Sequence, residues 1–114
     1  MERKHRREMA QQYQERTLVG GVCAIVNTVN GRRLVVSATE IERLRNLFDF
    51  SVSTGRFSYL ELQSDAKVHG MQAFRFEVLE TLEKKELQSL QQFKEDIEIL
   101  TDLWKAKYNP DVLY

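Results

Sequence analysis

The chain has 114 residues, enough for one small domain and too few for two independent cores. Charged residues make up 30% of it and apolar ones 42%, a balance that excludes a disordered or membrane-spanning composition. Seventeen basic and seventeen acidic residues cancel to a formal charge of zero, which argues against a protein held on nucleic acid by a basic surplus. The lone Cys23 has no partner for an internal disulfide, and no apolar run approaches the roughly twenty residues that span a bilayer. No apolar core of a signal peptide follows the basic start "MERKHRR", and a cytoplasmic protein without membrane contact is the simplest reading.

Residues 2 to 15, "ERKHRREMAQQYQE", are good helix formers whose only large apolar side chains, Met9 and Tyr13, are spaced i, i+4. This reads as a surface helix or arm over residues 1–18, ahead of a domain over 19–114. Its cluster Arg3, Lys4, Arg6 and Arg7 is a candidate contact for phosphates, against the plainer reading of a solvated helix end.

Gly20 and Gly21 break the chain before "VCAIV", apolar on both alternating faces like the later "LVV". Such strands need cover on both sides. Asn30-Gly31 between them signals a hairpin, whose register depends on its loop. A two-residue loop sets Cys23 and Val35 on opposite faces; a three-residue loop, with Gly31 left-handed, puts both on one face.

Thr39 with Glu42 reads as a capping box, and Ile41, Leu44 and Phe48 follow at helical spacing, predicting a helix to about Ser51. Ser58 with Glu61 repeats the signature for a second helix stopped by Gly70. In "FRFEVLE", Phe74, Phe76 and Val78 alternate with Arg75, Glu77 and Leu79, which predicts a third strand. Leu87, Leu90, Phe93, Ile97, Leu100 and Trp104 then recur at three- and four-residue steps until Asn109-Pro110 ends a long helix. Trp104 is expected to pack with Leu100 and Ile97 against the sheet. The order is that of an α+β fold, a small three-stranded antiparallel sheet flanked by helices.

This order, headed by "GVCAIVNTVNGRRLVVS", resembles the GIY-YIG nuclease family, whose first strand carries Gly-Ile-Tyr and whose second carries Tyr-Ile-Gly after a hairpin. "ELQSDAKVHGMQAFRFEVLETL" and "LTDLWKAKYNPDVLY" are similar to the family's short helix with third strand and to its closing helix and tail. The resemblance implies a GIY-YIG endonuclease-like fold with both motif positions converging on one site, which favours the three-residue loop. It also implies metal-assisted phosphodiester hydrolysis, with a carboxylate holding a divalent cation, a tyrosine or histidine activating water and an arginine steadying the phosphate.

On that alignment the first tyrosine position is Cys23, and the second motif is Val35, Val36, Ser37. The histidine positions fall on Phe48 and Phe57, and the metal-binding glutamate on Thr101. The arginine matches Arg45 counted forward from Ser37, or Arg43 if a gap lies inside the helix. Glu98 and Asp102 are the carboxylates nearest Thr101 in sequence and thus the candidate metal ligands. Asp102, however, points about 100 degrees away from it on a helix, and Glu98 lies nearly a turn earlier. Cys23 as a nucleophile would need a base that neither His5 nor His69 is placed to supply.

The expectation is therefore a GIY-YIG-like domain whose catalytic positions are replaced. It would be a non-catalytic binding or interaction module for protein or nucleic acid, needing no cofactor. The alternative is an active or weakly active endonuclease using Mg²⁺ or Mn²⁺ with Arg45, Asp102 and Glu98. The oligomeric state is open.

Overall fold

The structure, a computed structural model, describes residues 17–114, and the basic segment with Arg3, Lys4, Arg6 and Arg7 lies outside the described residues. Three strands, β1 (Val19–Asn27), β2 (Arg33–Ala38) and β3 (Phe74–Glu83), form one sheet in the order β2-β1-β3, antiparallel throughout. Three helices flank it: α1 (Ile41–Thr54), α2 (Leu60–His69) and α3 (Leu90–Ala106). None of them is long and apolar enough to cross a membrane.

β1 is central, and its successive residues Val22, Cys23, Ala24 and Ile25 are all buried, so both faces of the sheet are covered. On one face Ile25, Phe57, Leu62 and Phe74 form a cluster with Leu34, Phe48 and Phe76, drawing on α1, α2 and the strands. α3 covers the other with its buried stripe Phe93, Ile97 and Thr101, and a Cβ on Gly20 would come 2.7 Å from Ile97 Cδ1. At its far end Trp104 is half-buried rather than closed into the core: its indole N–H reaches Glu80 Oε1 at 2.8 Å, and Lys107 lies 3.9 Å from the centre of its ring.

The β1–β2 connection overturns the expected register. The Asn27 N–H donates to the Arg32 carbonyl at 2.8 Å, and the Gly31 N–H donates to the Asn27 carbonyl at 2.8 Å. Four residues, Thr28 to Gly31, thus lie in the loop. Two side-chain turns hold it, Asn27 Oδ1 accepting from the Val29 N–H and Asn30 Oδ1 from the Arg32 N–H. Gly31 takes positive φ as expected, at 75°. Because the loop is one residue longer than expected, Cys23 stands opposite Val36 and Ala24 opposite Val35. Cys23 and Val35 therefore face opposite sides of the sheet.

Two predicted helix starts also move. The caps of α1 and α2 are Glu40 and Tyr59, neither making a side-chain capping bond, and Thr39 and Ser58 stand one residue outside. A reciprocal capping box does form at α3, between Ser89 and Gln92, leaving Leu87 exposed before the helix. The helix stops short of Asn109-Pro110, and the tail returns along the outer edge of β2, where the Tyr114 N–H donates to the Arg33 carbonyl at 2.9 Å.

Candidate functional site

The β1 ladder puts Cys23, Ile25 and their partners Leu34, Val36, Phe76 and Val78 on the face covered by α1 and α2. α1 delivers Phe48 to this face, and the turn after Gly55 delivers Phe57. Their rings stack at 6.0 Å between centroids, Phe48 sits 5.6 Å from Phe76, and Phe57 meets Phe74 edge-on at 5.0 Å. The Arg45 guanidinium lies 5.3 Å over the Phe76 ring. Burial pushes the Cys23 thiol up to about 11, against a smaller opposing pull from Arg45. Burial likewise raises the Tyr59 phenol, with Cys23 and Glu61 adding to it.

Of the two candidate arginines, only Arg45 reaches this face. Arg43 makes a 3.6 Å ion pair with Glu40 and leaves 84% of its side chain in solvent. Val35 is buried on the α3 side, where Ser37, two residues on, shares its face. Thr101 lies on the same side, its hydroxyl donating to the Ile97 carbonyl at 2.7 Å within the helix. Glu98 and Asp102 are exposed. The sheet thus brings Cys23, Phe48, Phe57 and Arg45 together and separates them from Val35, Ser37 and Thr101.

A second polar cluster sits at the hairpin end, built from residues with no motif to mark them. The Tyr114 hydroxyl donates to Asp65 Oδ2 at 2.7 Å, and the side-chain amides of Asn30 and the fully buried Asn27 donate to the same oxygen at 3.2 and 3.4 Å. Arg32 stacks 4.4 Å from the Tyr114 ring centre and donates to the Leu113 carbonyl. The Tyr114 hydrogen bond, ahead of the others, holds the Asp65 carboxyl below its ordinary value. Only the Asn27 side chain, at the end of an apolar strand, hinted that polar partners would be needed.

The arrangement of sheet, hairpin and helices has counterparts among solved structures. The catalytic domain of the homing endonuclease I-TevI matches 77% of this chain and 86% of its own length, at 24% identity and a TM-score of 0.56. A point mutant of that catalytic domain matches 79% of this chain and 84% of its own length, at 25% identity and the same TM-score. The fold is GIY-YIG-like. No protein-family model matches the sequence, and no curated protein does. Among the described residues of this GIY-YIG-like domain, no three of His, Cys, Asp or Glu gather where they could hold a metal ion. Its candidate site is an aromatic layer on the sheet face that also holds the buried Cys23 thiol, with the Arg45 guanidinium over the Phe76 ring.

Proposed function

We propose that this GIY-YIG-like domain engages a partner without cleaving phosphodiesters. The packing of Phe48 between Phe57 and Phe76, on the face that holds Cys23, carries this reading. These rings occupy the place where the family resemblance calls for groups that move a proton, and phenylalanine can neither give nor take one. The resemblance has both motif positions on one face, and the β2 residues that share Cys23's face are Leu34 and Val36 rather than Val35. Neither of them supplies a hydroxyl.

The divalent cation implied by the resemblance does not fit these residues. Thr101 offers one neutral hydroxyl and no carboxylate, and it lies across the sheet from Cys23, whose protonated thiol is a poor ligand. The alternative set of Arg45, Glu98 and Asp102 is disfavoured because Arg45 stands across the sheet from α3. A protein partner is favoured by the exposed side chains Leu47, Phe50 and Leu60, which line a groove beside Phe57 between α1 and α2.

The test is incubation of the purified chain with plasmid and single-stranded DNA in Mg²⁺ or Mn²⁺. Both substrates should remain uncut. Metal-dependent cutting that disappears in Asp102→Ala or Glu98→Ala would overturn the reading.

A further inference from the structure

A groove between β3 and α3 stands apart from this site. Its floor is apolar, formed by Leu82 with Ile99 and Leu103, the last two 60% and 58% exposed and spaced i, i+4 on the solvent side of α3. Its rim carries the carboxylates Glu80, Glu83 and Asp96 against the single cation Lys85. An apolar floor with an acidic rim fits a segment that offers apolar side chains flanked by positive charge.

We propose that this groove receives the chain's own N-terminal segment, residues 1–16, in cis. Three observations converge. The composition is complementary: the segment holds Arg3, Lys4, Arg6, Arg7 and Arg16 against Glu2, Glu8 and Glu15, and its large apolar side chains, Met9 and Tyr13, repeat the i, i+4 spacing of Ile99 and Leu103. The attachment is adjacent: the Lys84 N–H donates to the Leu18 carbonyl at 2.9 Å and Val19 pairs with Glu83, so the segment joins the fold at the groove's own wall. The reach suffices, since sixteen residues span about 24 Å even when helical, close to the length of α3. Attachment at the wall also supplies a local concentration on the order of millimolar, so contacts too weak to recruit a free peptide hold a tethered one.

The β3 edge itself is a poorer seat for a second copy. The β1–β3 register slips between Val22 and Cys23, leaving Leu79 bulged, and Glu77, Glu80 and Glu83 line the strand. Two such edges brought together would oppose like charges, whereas a basic segment neutralises them.

Hydrogen exchange read by mass spectrometry on the full chain tests the assignment, comparing wild type with Leu103→Lys and Glu83→Lys at low salt. Amides in residues 3–16 should exchange about tenfold more slowly in wild type than in either variant, and about 1 M salt should erase the difference. Unchanged protection of β1 amides in all three proteins establishes that the variants fold. Equal exchange of residues 3–16 in the three proteins would overturn the proposal. So would protection that grows with protein concentration, because the segment would then be crossing to a second copy.

Discussion

Tyr114 and Asp65, 49 positions apart in the chain, share a 2.7 Å hydrogen bond that ties the C-terminal residue to α2. The bond makes part of the stability titrate. It lowers the Asp65 carboxyl below its ordinary 3.8, so between the folded and unfolded values the unfolded chain binds more protons. That contribution is complete above about pH 5 and disappears as pH falls through the lowered value. Tyr114→Phe should therefore lower the melting temperature at neutral pH and flatten its rise across the acid range below the ordinary carboxylate value. Thermal unfolding of both proteins across this range is the measurement. An identical acid slope would mean that Tyr114 does not set the Asp65 titration.

Gly21 and Gly31 both take positive φ, yet they should respond differently to alanine. A Cβ at Gly21 would come 2.1 Å from the Glu80 carbonyl oxygen and 2.9 Å from Thr81 Cα, backbone atoms of the bulged β3. At Gly31 it would meet nothing within 4 Å, and only the left-handed conformation opposes it. Gly31→Ala should cost about 1 kcal/mol and Gly21→Ala about 3 kcal/mol or more in urea unfolding. Equal costs would remove the close approach at Gly21 as the reason that a glycine stands there.

The contrast between these glycines also marks what could be read in advance. Asn30-Gly31 announced the hairpin because few residues tolerate its backbone, but the loop length was set by Asn27 and Asn30 bonding their own backbone, and one residue of difference moved Val35 to the other face. The apolar spacing of α3 was plain, and its true capping box lay in Ser89 and Gln92. Thr39 and Ser58 matched the same pattern without capping anything, because the chain turns helical only after the residue that follows each. The assignment of Cys23, Phe48 and Phe57 to motif positions rests on the resemblance alone, and the structure adds that Cys23 and the two rings lie on one side of the sheet. The Asn27, Asp65 and Tyr114 cluster was not legible, because its members come from three distant segments and no short spacing records their meeting.

Thr101 offers the sharpest check on the proposed loss of cleavage. It is buried against the sheet, and its hydroxyl is satisfied by the Ile97 carbonyl. Thr101→Glu would place a carboxylate there, and its ionised form should destabilise the fold by about 1 to 3 kcal/mol at neutral pH. The sign follows from burial, which raises the new carboxyl's pKa: the folded state then binds the extra proton, so the deficit should shrink as pH falls toward about 5. DNA cleavage should return weakly or not at all, since Cys23, Phe48 and the apolar β2 residues Leu34, Val35 and Val36 would still supply nothing to activate water, and residues that act as a unit do not restore activity one at a time. Urea unfolding at two pH values, with and without Mg²⁺, reads both effects. A variant stabilised by Mg²⁺ and cutting DNA strongly would show that the groups needed for hydrolysis persist elsewhere on this fold and that only the metal ligand was missing.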